Sequence, residues 1–201
     1  MVQEKQKYGG IFRMKNNTII YLMRHGLDDE SFVGGWSSGG LTDEGKLQVE
    51  KSADFIVRNI KDINTIYHSG LNRTIETASI INEKLKLPVY ELSDIKELNK
   101  GILNGMEVKL AKNLYPNYFH NPLITDRYPN GESVQDLYDR VAQFLNSIDN
   151  YNHSLLITHR GVINMLYFIL NNINLNYNKT QFNVIHGSIH KIELNKIKRL
   201  Y

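Results

Sequence analysis

Hydrophobic positions along the chain alternate between two kinds of run. Residues 18–23, Thr-Ile-Ile-Tyr-Leu-Met, form an unbroken β-rich stretch that stops at Arg24-His25-Gly26, and residues 154–158, Ser-Leu-Leu-Ile-Thr, form another that stops at His159. Continuous apolar runs of this length suit strands buried on both faces of a mostly parallel sheet. Between them the period changes. Thr42 is placed to cap a helix whose inner face would use Leu47, Phe55, Ile56 and Ile60. Residues 63–67 read as a strand, followed by a helix through Ile75, Ala78, Ile81 and Leu85. Pro88 ends that helix, and Val89-Tyr90 opens a short strand. Residues 132–148 carry Val134, Leu137, Val141 and Leu145 at helical spacing, and 162–170 is expected as a helix after the second buried strand. Near the end Gly187 separates two short β-like runs, the second at 189–194, expected as an antiparallel edge. Repeated β–α units predict an α/β fold: a three-layer sandwich whose mostly parallel central sheet carries helices on both faces.

Residues 101–131 break the pattern. They are rich in Asn, Tyr, Pro and Gly, with Tyr115-Pro116-Asn117-Tyr118 and Tyr128-Pro129-Asn130-Gly131. A stretch this long predicts a lid-like excursion over a site. No linker or internal repeat divides the 201 residues, so one domain over 1–201 is expected.

Composition narrows the chemistry. The chain has no cysteine, which excludes a disulfide framework, thiol catalysis and a Cys-ligated zinc site. No apolar run approaches the roughly 18 residues of a membrane span, and the start, MVQEKQKYGG, lacks the apolar stretch of a secretory signal. A cytoplasmic location is expected, with no membrane partner. The formal net charge of +3 is unevenly placed. Residues 1–17 carry +3 (Lys5, Lys7, Arg13 and Lys15 against Glu4) and residues 191–201 another +3, leaving −3 for 18–190. A nucleic-acid face should run through the fold and not sit on its ends, so no nucleic-acid partner is expected.

Ligands of open α/β sheets bind at the carboxyl ends of strands. Three strands here are followed by Arg24-His25-Gly26, by His68-Ser69-Gly70-Leu71-Asn72-Arg73-Thr74, and by His159-Arg160-Gly161. Two arginines and two histidines thus reach one edge from three separated segments. The guanidinium fork matches phosphate oxygens, and a neutral imidazole can attack phosphorus or hold a phosphoryl group.

Leu22-Met23-Arg24-His25-Gly26 resembles the Arg-His-Gly signature of the histidine phosphatase superfamily, which includes the cofactor-dependent phosphoglycerate mutases. Further segments resemble that family in its order: Gly35-Trp36 with Leu41-Thr42-Asp43-Glu44-Gly45, Ser69-x-x-x-Arg73-Thr74-x-x-Thr77-Ala78, Glu97-Leu98-Asn99-Lys100-Gly101 with Gly105, Gly131-Glu132-Ser133 with Arg140-Val141, and Thr158-His159. The resemblance implies a phosphoglycerate-mutase-like fold and roles for individual residues. His25 would be the nucleophile that forms a phosphohistidine. Arg24, Arg73 and His159 would bind the phosphoryl oxygens and stabilise the charge in transfer. Glu97 would be the general acid and then the base that activates water. No metal or cofactor is implied, since the arginines supply the positive charge.

The chain departs from the family pattern in places. Leu27-Asp28-Asp29 follows Arg-His-Gly, where Glu or Gln and then Thr are common. The usual Asn a few residues later has no clear counterpart, and Arg160 replaces the Gly that commonly follows the second His. Arg160 has two readings, a contact to an anionic substrate or a cation facing solvent. Asp28, Asp29 and Glu30 read as a solvated acidic loop, with a substitute proton role as the alternative. Trp36, with Tyr115, Tyr118, Phe119 and Tyr128, would form either a substrate-facing wall or core and lid packing. His186 and His190 are four apart, but Gly187-Ser188 between them favours turn and strand over a metal site. His68 is either pocket-lining or structural, and His120 and His153 are expected to be exposed.

The expected function is a metal-independent phosphatase that hydrolyses small-molecule phosphate monoesters through a phosphohistidine, acting as a monomer or homodimer. Two alternatives remain: a phosphoglycerate-type phosphomutase, and a non-catalytic phospholigand-binding regulator. Full-size mutases of the family carry a longer excursion and a C-terminal closing segment, for which this chain is too short. A binder would need neither His25 nor Glu97.

Overall fold

A computed structural model describes residues 14–176, 178 and 180–201. The basic N-terminal residues Lys5, Lys7 and Arg13 lie outside the described residues. Strand β1 (Ile19–Arg24) and strand β4 (Ser154–Thr158) are the two unbroken apolar runs, and they pair in parallel at the centre of a six-stranded sheet of order β3-β2-β4-β1-β5-β6. Strand β2 (Thr65–His68) pairs in parallel with β4 and with β3 (Val89–Glu91). Four parallel strands therefore end at one edge. Strand β5 (Ile189–Glu193) runs antiparallel to β1, and β6 (Lys196–Arg199) completes the sheet as its antiparallel edge.

The central strands are buried on both sides because their alternate residues feed two separate cores. Ile20, Leu22 and Leu156 pack with Leu137, Val141, Ile163 and Leu166 from α4 (Val134–Leu145) and α5 (Arg160–Leu170). Tyr21, Met23, Leu155 and Ile157 pack with Val49, Ala53, Ile56, Ala78 and Ile81 from α1 (Asp43–Asn59) and α2 (Asn72–Leu85). This is the expected three-layer arrangement. Thr42 caps α1 as anticipated, its side chain accepting from the Gly45 N–H at 3.0 Å, a contact worth about 1 kcal/mol. Ser133 and Asp136 form a reciprocal capping box at the start of α4.

Two local expectations need correction. The buried face of α1 is Gly45, Val49, Ser52, Ala53 and Ile56, while Leu47 is exposed. Apolar residues surround this helix, and the phase is settled by Gly45, which must lie against the first loop. The terminal antiparallel pair is joined through Leu194 and Asn195, both at positive φ, and not through Gly187; the run before Gly187 is not a strand. The excursion at 101–131 is an irregular segment with two short 3-10 turns and one helix, α3 (Val108–Leu114). Among the described residues no helix is long and apolar enough to cross a membrane.

Candidate active site

The parallel strands deliver their next residues to a common edge. His25 follows β1, Ser69 and Arg73 follow β2, Glu97 follows β3, and His159 follows β4. The loop after β1 passes very close to α1: a Cβ on Gly26 would lie 2.5 Å from the Gly45 carbonyl oxygen. A Cβ on Gly45 would in turn lie 2.1 Å from the Leu27 carbonyl oxygen, so the two close approaches account for glycine at both positions and fix His25 relative to the helix.

His25 and His159 are buried. His25 Nδ1 donates to the Gly26 carbonyl at 2.7 Å, and His25 Nε2 accepts from Arg73 Nε at 3.3 Å. This pairing assigns the proton to Nδ1 and leaves the Nε2 lone pair on the site. His159 lies beside it, ring centroids 5.0 Å apart. Its Nε2 is 2.8 Å from Ser69 Oγ and its Nδ1 is 3.3 Å from Arg73 Nη2. Burial, reinforced by the neighbouring arginines, holds both histidines well below the usual imidazole range; for His25, His159 adds to the effect. Both imidazoles are neutral at pH 7.

Arg73 is 1% exposed and fully engaged. Besides the two histidines it donates to the carbonyls of Gly35 (2.5 Å) and Ser37 (3.4 Å) and to Ser37 Oγ (3.2 Å). Arg24 donates to the Val184 carbonyl at 2.9 Å and through Nη2 to His186 Nε2 at 2.5 Å, while its Nε is buried without a hydrogen-bond partner among the described residues. Burial and then Arg160 push the Arg24 guanidinium down to about 10, still charged at neutral pH. A buried guanidinium N–H with no protein acceptor is a donor left for an anion.

Glu97 is held by its surroundings. Its Oε1 accepts from the Leu98 N–H at 2.8 Å and its Oε2 from the Gly161 N–H at 3.2 Å. Arg140 donates to the carbonyls of Asp94, Lys96 and Glu97 while pairing with both oxygens of Glu132. A helix-borne arginine thus clamps the main chain that carries Glu97. Trp36 is exposed, donates from Nε1 to the Glu97 carbonyl at 2.7 Å, and lies under the Lys96 ammonium. Arg24, His25, Arg73, Glu97 and Arg160 line one cavity of about 270 Å³; neither Trp36 nor the fully buried His159 is in its lining.

Two residues join the site against expectation. Asp28 faces inward, 3.6 Å from Arg73 Nε and 3.7 Å from His186 Nε2, whereas Asp29 and Glu30 are exposed as a solvated loop would be. Burial works against its charge, but His186, His25 and Arg73 outweigh it and hold Asp28 well below the usual carboxylate range. His186 packs on His25 with centroids 5.6 Å apart. It arrives here because β5 is antiparallel to β1: Met23 pairs with Ile189, so the residues just before β5 lie at the edge where β1 ends. His190, by contrast, is buried between Tyr167 and Ser188. His25, Asp28 and His186 offer ligand atoms within 4.8 Å of one another, but Arg24 and Arg73 already engage these groups and disfavour a cation there.

Elsewhere, His68 Nδ1 accepts from the Gly70 N–H, a structural role. His153 is half-buried and pairs with Asp62, and His120 is exposed. The aromatic group divides: Tyr118 stacks on Tyr128, whereas Phe119 lines the cavity.

A family model for the histidine phosphatase superfamily (branch 1) matches residues 20–199. The 6-phosphofructo-2-kinase/fructose-2,6-bisphosphatase 3 of Homo sapiens is 30% identical over 159 residues, covering 75% of this chain and 29% of that protein. The Gallus gallus 6-phosphofructo-2-kinase/fructose-2,6-bisphosphatase is also 30% identical, covering 75% of this chain and 32% of that protein. The chain thus spans less than a third of these curated relatives. A mycobacterial glucosyl-3-phosphoglycerate phosphatase superposes with a TM-score of 0.72 at 19% identity, over 87% of this chain and 89% of that one. The Shigella flexneri alpha-ribazole phosphatase superposes with a TM-score of 0.73 at 20% identity, over 90% and 94%. At these identities the superpositions establish the fold. The family match along nearly the whole described sheet, with the Arg-His-Gly segment at its first strand, means that this chain belongs to the histidine phosphatase superfamily.

Proposed function

We propose that the protein hydrolyses phosphate monoesters of small molecules through a phosphohistidine on His25. The observation that carries this reading is the state of His25: buried, neutral, its Nδ1 proton held by the Gly26 carbonyl, and its Nε2 facing Arg73 and His159. The phosphatases among the structural neighbours, and the bisphosphatase part of the relatives' names, support it.

In the first step the Nε2 lone pair attacks phosphorus and the bond to the leaving oxygen breaks. Glu97 gives its carboxyl proton to that oxygen, so the alcohol leaves neutral. The Gly26 carbonyl stabilises the positive charge that the ring acquires. The unpartnered Arg24 Nε–H is placed to take a phosphoryl oxygen, and the Arg73 Nε–H, released from Nε2 as that lone pair attacks, passes to another, with His159 beside them. In the second step Glu97 takes a proton from water, the hydroxide attacks phosphorus, and the P–N bond breaks. Inorganic phosphate leaves, and His25 and Glu97 return to their starting states. The two guanidiniums meet the charge requirement of the transfer, and the sequence assigns no metal or cofactor to it. Small esters are favoured because the reacting groups line a cavity of about 270 Å³, which holds little beyond a phosphoryl group and a small alcohol.

The test is phosphate release from 4-nitrophenyl phosphate and a broad panel of phosphate esters in excess chelator, with wild type and His25→Ala. Release by wild type, lost in His25→Ala, is expected. Absence of release from every ester would reject the activity, and full activity in His25→Ala would reject the mechanism. Transfer of phosphate between carbons of a phosphoglycerate without net release would identify a phosphomutase instead.

A further inference from the structure

The lining of the same cavity reaches beyond the phosphoryl-binding groups. Asp29, Glu30, Phe32, Asn176 and Asn178 are exposed, Lys100 and Arg160 are half-buried, and Asn164 is buried. Most of the apolar lining is withdrawn. Leu137 of α4 and Met165 and Phe168 of α5 are buried, as is Val33, and Val108 and Phe119 of the excursion close the opposite side half-buried. The face of α5 is regular: Gly161 holds the Glu97 carboxylate, and Asn164, Met165 and Phe168 continue the same wall over the next two turns. Past one buried amide, the wall beyond Glu97 is mainly hydrocarbon.

We propose that the alcohol half of the substrate is an apolar ring system, an aryl or similarly cyclic group, seated between the excursion and α4–α5. This inference rests on the phosphatase reading and names its substrate class. A polyhydroxylated sugar would meet polar side chains at Lys100, Asn164 and Arg160, but it would set its other hydroxyls against Val, Leu, Met and Phe side chains, where they lose their bonds to water without replacement. An apolar ring would leave water for a matching surface. The cavity of about 270 Å³ lies near the lower end of the roughly 300–1,000 Å³ of small-ligand clefts, which suits a phosphoryl group plus one or two rings. It also gives the excursion a role, since Val108 and Phe119 supply a wall that the sheet and helices do not.

Two hydrolysis-resistant phosphonates separate this inference from the activity on which it rests. Binding of 1-naphthylphosphonate and methylphosphonate is measured by calorimetry on wild type, Phe119→Ala and Val108→Ser. The naphthyl compound should bind at least about tenfold tighter to wild type, and both half-buried substitutions should narrow that ratio. Equal affinities in wild type, or a ratio untouched by both substitutions, overturns the inference whatever the enzyme hydrolyses. In parallel, initial rates are compared for 1-naphthyl phosphate and glycerol phosphate. No release from either ester, with the naphthyl preference in binding intact, removes the phosphatase reading and sustains the ligand class. Release from both with the binding preference absent does the reverse.

Discussion

Glu97 is bound to the backbone of Gly161: its Oε2 accepts from the Gly161 N–H at 3.2 Å, and a Cβ on residue 161 would run into Oε1. The start of α5 therefore follows directly on the second histidine, which is its N-cap, and sets the position of the acid. Gly161→Ala adds one methyl group and touches neither histidine nor arginine. It should displace Glu97 and slow esters with poor leaving groups by about 10- to 100-fold, within the usual worth of general acid catalysis. Nitrophenyl esters, whose leaving group needs little protonation, should lose far less. Rates across a series of leaving-group pKa values provide the check, and a uniform loss would mean that the methyl group acts elsewhere.

Arg73 serves two histidines and a loop at once, which a lysine cannot do. Its Nε faces His25, its Nη2 faces His159 and the Gly35 carbonyl, and its Nη1 faces Ser37. Arg73→Lys keeps the charge but loses the fork. A drop of about 10²–10³ in kcat is expected, the range seen when one preorganised donor is removed from a transition state. Near-wild-type turnover would show that only the charge of Arg73 matters.

His186 accepts from Arg24 and packs beside His25. Removing the acceptor frees a buried guanidinium to reorient, and a hydrogen bond to a charged group contributes about 1.5–3 kcal/mol. His186→Ala should weaken competitive inhibition by inorganic phosphate by about tenfold. His186→Gln, which restores an acceptor of similar reach, should recover most of it. If neither variant changes the phosphate inhibition constant, Arg24 is held by the Val184 carbonyl alone.

Local features of the chain were the legible ones. The unbroken runs at β1 and β4 specify central strands because each residue must be apolar on whichever face it meets, and Thr42 specifies a helix start by its own hydrogen bond. Residues immediately after parallel strands were legible too, because the strand end determines where they go. The missing pieces depend on relationships between distant segments. His186 reaches the site only because β5 pairs antiparallel with β1, and its four-residue spacing from His190 carries no hint of that. Asp28 sits in an acidic run whose other members face water. Arg140 acts on main-chain carbonyls of 94, 96 and 97, which no residue pattern records. The face of α1 was misjudged at Leu47 because the constraint is Gly45 against the Leu27 backbone, a contact without a hydrophobic signature.

His190 gives the fold a pH dependence of predictable sign. It is buried with Tyr167 OH and Ser188 Oγ as partners, and burial, then Arg199, lower it from 6.5 to about 4. Between those values the unfolded chain takes up a proton that the folded chain refuses. Stability therefore rises with pH through this window, and it is lost as pH falls from 6.5 toward 4. The full span corresponds to about 3 kcal/mol from this one group. His25 and His159 shift in the same direction and add to the slope. Urea unfolding at pH 7 and pH 4.5 measures it: wild type should lose stability on acidification, and His190→Gln, which keeps a polar side chain but cannot take up the proton, should lose less by about 2–3 kcal/mol. Identical losses in the two proteins would place the acid sensitivity in the histidines of the active site and not in the β5 core.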